Sequence, residues 1–447
     1  MDPLKTAYVK IWGEVVGAVT WRQDRGYAVF EYEPAFLGKG WDLSPVHLGT
    51  SNTQPGEIFS FPNLDPFTFL GLPGLLASSL PDDFGNSIID SWLTRNGRDP
   101  RSFNPVERLC YIGTRGMGAL EYSPQLSSRK LNKSAPIEIQ KLMELAQDIL
   151  AERSKLDVHM RGQDKEKAEA MLDILRVGVS AGGAVPKAII AIDNEGHIIS
   201  GQTTVPDGYE HWILKFDGVL NKTADAIGKP REECRVEYAH SLMAKSAGIN
   251  MMECRLLEEN GRAHFMTRRF DRQHNDKIHV LSLAGMGHLG WNPAGRVGYE
   301  DAFNIMRHLK LPYLAHEQQF RRMVFNALIR NVDDHVKNIS YMMDKDGVWT
   351  LSPAYDITFS YNLDDMLGDR HKMTINGKQN DLTNNDFLDV AHNMEINKPE
   401  EIIKEILEVV GRWPDFAKQA GVKPEVSKYV GSLQLDHNRL ESGLSMR

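Results

Sequence analysis

Apolar and polar positions change period several times along the chain, and each change predicts a different element. Val9, Ile11 and Trp12, then Val15, Val16, Ala18, Val19 and Trp21, read as strands punctuated by Gly13 and Gly17, and a second run covers Tyr27 to Tyr32. A small β-rich module therefore opens the chain. Between residues 50 and 130, Pro55, Pro62, Pro66, Pro73 and Pro81 divide short apolar segments, with a helix expected over Ser87–Leu93. Ile137, Ile139, Leu142, Leu145, Ile149 and Leu150 fall at helical spacing within Pro136–Arg153, and the charged stretch Glu152–Glu169 reads as a solvated helix and boundary. Strand patterns return over Ala188–Ile192, Trp212–Phe216 and His264–Thr267, with turns at Asp193–Gly196 and Asn260-Gly261. One helix, Val236–Ala247, interrupts them and closes at Gly248. Beyond Ser282 the period is helical over Tyr299–Leu309, Glu317–Arg330, Asn384–Met394 and Pro399–Val410, with a capping-box pattern at Thr383-x-x-Asp386. The expected fold class is α+β, divided into a β-rich module (1–130), a helical connector (131–170), a β-rich lobe (171–280) and a mostly α-helical lobe (281–447). That order suggests a two-lobed enzyme.

Composition narrows the picture. The chain has 447 residues, 41% of them hydrophobic and 25% charged, which predicts a folded multidomain protein rather than a disordered or disulfide-stapled one. Its 52 basic and 60 acidic residues leave a net charge of −8, so no global basic field draws it to nucleic acid or membrane. Cys110, Cys234 and Cys254 are odd in number and form no Cys-x-x-Cys pair, as suits core residues in a reducing compartment. With no apolar run of signal-peptide or transmembrane length, the expected location is cytoplasmic.

The strongest chemical signal is the charged loop Asn331-Val332-Asp333-Asp334-His335-Val336-Lys337-Asn338, directly after an apolar helix. Asp333 and Asn338 stand at the spacing by which a kinase catalytic loop sets a proton-accepting carboxylate beside an amide that reaches a metal ion. The hairpin-like Ile339–Met343 and Val348–Leu351 would return Tyr355-Asp356 beside Asn338. A carboxylate and an amide oxygen are hard ligands, suited to Mg²⁺ also held by phosphates. A second signal is Gly178 to Lys187, a glycine-containing loop that could bring backbone amides to a phosphate but is neither a Walker A loop nor a dinucleotide fingerprint. Lys215 is the single cation in the apolar strand Trp212–Phe216, where an outward or edge position is the ordinary reading. A strand lysine is also how kinases hold the α- and β-phosphates, and Glu237 on the following helix is the available partner.

Together these segments resemble the HipA-like family of bacterial serine/threonine kinases, toxins of toxin–antitoxin modules. Gly71 to Asp82 is similar to that family's N-terminal module, Ser180 to Lys187 to its glycine-containing loop, and Arg269-Phe270-Asp271-Arg272 to its hinge. Asp333 to Asn338 and Tyr355-Asp356 resemble its catalytic and metal motifs, and Thr374 to Lys378 its C-terminal lobe. The resemblance implies a two-lobed kinase-like fold using ATP and Mg²⁺. Asp333 would be the catalytic aspartate, Lys215 the phosphate-holding lysine, and Asn338 and Asp356 the metal ligands. Gly182, Gly183, Ala184, Val185, Pro186 and Lys187 would cover the phosphates. Backbone groups of Arg268 and Phe270, with Arg269 between them, would meet adenine, and His335, Lys337 and Tyr355 would lie close to the nucleotide. Ser180 would be an inhibitory autophosphorylation site. The implied partners are a protein substrate, such as a translation factor or aminoacyl-tRNA synthetase, and a small helix-turn-helix antitoxin through which DNA is reached indirectly. Departures include Arg268 where a Glu is common and Asp334 where a Gly is common; Asp334 adds a charge beside Asp333 that could raise its pKa or alter substrate choice.

Three other readings stay open on the residues alone. They are a small-molecule kinase on the same fold, a nucleotide-binding regulatory protein without turnover, and a metal-dependent hydrolase built from Asp333, Asp334 and His335. His288 and His371 read as loop hydrogen-bonders, and Arg321-Arg322 as a solvated helix face.

Overall fold

The computed structural model describes residues 3–95, 97–127, 129–153, 186–218, 232–291, 294–360, 370–435 and 440. Ser180, Gly182, Gly183, Ala184 and Val185, and the charged stretch beyond Arg153, lie outside them.

The opening strands β1 (Thr6–Ile11), β2 (Glu14–Arg22) and β3 (Tyr27–Tyr32) join β4 (Ile58–Ser60) and β5 (Leu120–Ser123) in an antiparallel sheet of order β4-β3-β2-β1-β5. Alternating apolar residues give it a buried face, including Ala7, Val9 and Ile11. The proline-divided segment is more helical than its breaks suggest. Besides Asp83–Arg95 it contains Pro105–Ile112, which starts with proline after a capping box between Asn104 and Glu107.

A second antiparallel sheet contains β6 (Lys187–Ile192), β7 (Ile198–Ser200), β8 (Glu210–Lys215), β9 (Cys254–Glu259) and β10 (Arg262–Arg268) in the order β7-β6-β8-β10-β9. Its Asn260-Gly261 turn has left-handed φ at both residues, 48° and 74°, as a tight two-residue hairpin requires. The helices Asp83–Arg95 and Ile139–Arg153 pack with Ala188, Ile190, Trp212, Leu214 and Met266 in one apolar cluster. The helix Glu233–Ser246 contacts β9 and β10 and continues into the main core. With helices packed on both faces of the sheet, β8 buries His211, Trp212, Leu214 and Lys215.

A ribbon, β11 (Arg272–Gln273) and β12 (Asp276–Lys277), leads to the sheet β13 (His279–Ser282), β14 (Ser340–Met343) and β15 (Trp349–Leu351). The helices Leu283–Gly287, Tyr299–His308, Tyr313–Leu328, Asn384–Asn393, Pro399–Val410, Trp413–Gln419 and Pro424–Leu433 build the rest of this lobe. Arg322 departs from the solvated-face expectation: it is buried, and Nη2 donates to Ser352 O at 2.6 Å. The three cysteines are free and buried.

Candidate active site

Lys215 ends the central strand β8 and is buried there, not at a sheet edge. Its Nζ donates to Glu237 Oε1 at 2.6 Å and also pairs with Asp356 Oδ1. Burial opposes the charge on the ammonium, but Asp356 and Glu237 outweigh it and raise the lysine above its ordinary range. Burial likewise opposes the charge on Asp356, yet Lys215, joined by Lys187, holds that carboxyl below its usual range. Burial raises Glu237, with Lys215 offsetting part of the effect. Lys187 stands directly across from Lys215 in the β6–β8 register, and both are buried. Like charges directly opposite are destabilising unless anions surround them, and Asp356 and Glu237 supply those anions at Lys215.

The hairpin β14–β15 returns the chain to the Asn331–Asn338 loop as its pattern indicates, and Asp356 adopts a left-handed φ of 56°. Asn331 supports that turn, since its Nδ2 donates to Asp356 O at 3.2 Å. Ser360 Oγ accepts from Asp333 N–H at 3.0 Å and donates to Asn331 Oδ1 at 3.2 Å. This Asp333–Ser360–Asn331–Asp356 relay joins two motifs 23 positions apart in the numbering. Asn338 Nδ2 donates to Asp333 O at 3.0 Å, which turns its amide oxygen free of that bond. Asp333 is exposed, yet desolvation by the groups around it raises its carboxyl pKa. His335 opposes that rise, and the negative charge of Asp356 reinforces it.

Asp334 faces away from this chemistry. Its carboxylate accepts from Tyr299 OH at 2.9 Å and Lys372 N–H at 2.9 Å, and contacts His371 Nδ1 at 2.8 Å. Its charge adds to the rise of Asp333, while its bonds anchor the segment at His371-Lys372 to the Asn331–Asn338 loop. These bonds leave the Asp333-Asp334-His335 hydrolase arrangement without its middle ligand. Among the described residues, no group of three or more His, Cys, Asp or Glu could hold a metal. Asp356, held ionised, and the amide of Asn338 supply hard oxygen donors of the kind that hold Mg²⁺ together with phosphates and water.

At the other end of the cleft, Arg268 N–H donates to Glu253 O and Arg269 N–H to His211 O, both at 2.9 Å. Arg269's side chain is engaged elsewhere: Nε and Nη2 grip Asp271 at 2.8 and 2.7 Å. Asp271 also accepts from Gly118 N–H at 2.7 Å, while Arg272 Nη2 donates to Gly116 O at 2.9 Å, so the hinge is tied to the first module. Burial opposes ionisation of Asp271, but Arg269 and Arg272 outweigh it and hold the carboxyl well below its usual range. Phe270 presents its ring to Tyr355, centroids 5.6 Å apart, and Tyr355 OH donates to Lys337 O at 2.7 Å.

Asp82, at the end of the segment that resembles the family's N-terminal module, is half-buried. It caps the Asp83–Arg95 helix, accepting from Gly85 N–H at 2.6 Å, and lies within electrostatic reach of Lys187 and Lys337. Burial pushes its carboxyl up to about 6 despite these lowering influences. The sequence signal was limited to an Asp before a helical pattern.

A β-rich lobe and a helical lobe, with a strand lysine, a helix glutamate and two aspartate-bearing loops between them, define the kinase-like class. The match to the HipA-like C-terminal domain covers residues 179–414, and that to the HipA N-terminal domain covers residues 7–123. The chain belongs to the HipA-like family. The structure titled as the Shewanella oneidensis MR-1 toxin–antitoxin system of HipA, HipB and its operator DNA has a chain that shares this fold, with a TM-score of 0.64 and 15% identity. The match covers 98% of this chain and 96% of that one. A Haemophilus influenzae protein named "Putative kinase" is 29% identical over 160 residues, 32% of this chain and 46% of that protein. The match thus spans less than half of that relative.

Proposed function

We propose that the protein is an ATP-dependent serine/threonine protein kinase and the growth-arresting toxin of a toxin–antitoxin module. The observation that carries this reading is the Lys215–Glu237–Asp356 ion cluster beside the Asp333–Asn338 loop. Lys215 and Lys187 would meet the nucleotide phosphates, with Gly182 to Pro186 and Lys187 covering them. Arg268 to Phe270 would bind adenine through the hinge backbone. His335, Lys337 and Tyr355 border the nucleotide. Asn338 and Asp356 would hold Mg²⁺, which supplies charge neutralisation at the phosphates. Asp333 would orient the acceptor hydroxyl and take its proton as the γ-phosphoryl group moves to that oxygen and ADP leaves.

Membership of the family supports an antitoxin partner, and the chain's net charge of −8 fits DNA contact through that partner. A translation factor or aminoacyl-tRNA synthetase remains the proposed target class. Autophosphorylation at Ser180 would place nearly two negative charges in the glycine-containing loop and inhibit the enzyme. Among the described residues no helix is long and apolar enough to cross a membrane; a cytoplasmic location belongs to the same proposal.

The test is intact mass after dephosphorylation and incubation with ATP and Mg²⁺. The wild type gains one phosphate, whereas Asp333→Asn and Ser180→Ala gain none. A wild type that binds ATP but transfers nothing to itself or to a panel of cellular proteins would favour the non-catalytic nucleotide-binding reading.

A further inference from the structure

We propose that Trp413, in the helical lobe, is a positioning residue for Lys215: by stacking on His240 it clamps the helix that carries Glu237. Its consequence for catalysis rests on the kinase reading, whereas the clamp itself rests on geometry alone. Glu237 reaches Lys215 from the helix Glu233–Ser246 at 2.6 Å. One turn later, His240 is fully buried and its ring lies 4.5 Å from that of Trp413, with the planes 20° apart. His240 Nδ1 contacts Val236 O at 2.9 Å, leaving the opposite ring edge facing Gln434, whose Nε2 is 3.3 Å from His240 Nε2. This intrahelical bond fixes the imidazole while Trp413 covers its face.

Trp413 is itself restrained. Its Nε1 donates to Ser427 O at 2.9 Å, and a Cβ at Gly431 would lie only 3.0 Å from its Cδ1. Other helical-lobe contacts hold both ends of the Glu237 helix. Lys423 N–H and Nζ reach Glu232 at 3.1 and 3.0 Å, and Arg235 Nη1 donates to Ala420 O at 3.0 Å. At the far end Arg321 Nη1 donates to Ala247 O at 3.3 Å and Gln318 Nε2 to Gly248 O at 2.8 Å. The helix therefore cannot rotate Glu237 away from Lys215 without breaking contacts to the helical lobe. Trp413 is its central restraint because it packs within one turn of Glu237, between the bonds at the two ends.

Acetic anhydride labelling of Lys215 in the nucleotide-free full chain, read by peptide mass spectrometry, tests this directly. Glu237→Gln removes the charge-assisted bond that holds Lys215 Nζ at 2.6 Å, so the released amine should be labelled about tenfold faster. Trp413→Ala should give a comparable rise, and adding Glu237→Gln to it should give no further one. Near-UV circular dichroism and a cooperative melt verify that each variant is folded. Wild-type labelling in folded Trp413→Ala overturns the proposal. Should that variant fail to fold, Trp413→Phe and His240→Ala take its place: faster labelling in either supports the clamp, and wild-type labelling in both overturns it. ATP turnover is measured separately, so an inactive wild type whose labelling responds to Trp413 refutes the kinase reading while retaining the clamp.

Discussion

Asp333 combines an exposed position with a carboxyl held above its ordinary pKa, and the sign of that shift has a measurable consequence. In the proposed mechanism the ionised form accepts the proton, and that form is depleted as pH falls through the raised folded value. The acidic limb of kcat/KM should therefore lie above about 4, the ordinary aspartate range. A limb at or below that range would separate the rate from Asp333 ionisation. Asp333→Asn should lower the transfer rate by about 10²–10⁴-fold with ATP affinity little changed, measured by single-turnover kinetics and calorimetric titration. Motif spacing marked Asp333, Asn338, Lys215 and Asp356 as candidates, and the fold brings Lys215 to Asp356 and Asn338 to Asp333. The Asp333–Ser360–Asn331–Asp356 relay was not legible, because Ser and Asn have ordinary turn roles and only folding brings these atoms together.

At the scale of elements, the short helix Leu283–Gly287 links the first module to the catalytic loop. Leu283 N–H donates to Ile339 O at 2.8 Å and Ala284 N–H to Val336 O at 3.1 Å. Its other side approaches Gly74 so closely that a Cβ on Gly285 would lie 2.2 Å from Ser78 Oγ and 2.8 Å from Gly74 O. Nearby, Gly74 N–H donates to His288 Nε2 at 3.0 Å, and His288 stacks on His47 at 4.1 Å. His288 is thus an interface residue whose ring bonds to another module, extending the local-loop expectation. Gly285→Ala should cost about 1–3 kcal/mol through overpacking and reduce kcat by shifting the Val336–Ile339 backbone. Denaturant unfolding and steady-state kinetics check the two effects; an unchanged midpoint with unchanged kcat would contradict this coupling.

At the scale of the molecule, the apolar core runs from the opening sheet to the C-terminal helices, while a second cluster covers the β6–β10 sheet. Arg269, Asp271 and Arg272 bind the hinge to Gly116 and Gly118, joining regions that the pattern separates into different modules. A ligand spanning the cleft should therefore stabilise the whole chain. Saturating ATP with Mg²⁺ at about one hundred times Kd should add about 2.7 kcal/mol to folding stability, seen as a raised Tm. Asp356→Asn should lose the Mg²⁺-dependent part of the rise. Equal shifts in wild type and variant would oppose the assigned metal role.

The sequence by itself determined the principal strands, the long amphipathic helices and the family resemblance, because period, turn chemistry and motif spacing are local properties. Tyr27–Tyr32 and Pro399–Val410 keep the boundaries expected from these local signals. Tertiary structure alone decided that Arg322 is buried, that Asp334 binds Tyr299 and His371, and that Trp413 stacks on His240. Each outcome joins residues distant along the chain. Burial and electrostatic partnership are set by such long-range packing, which a one-dimensional pattern does not specify.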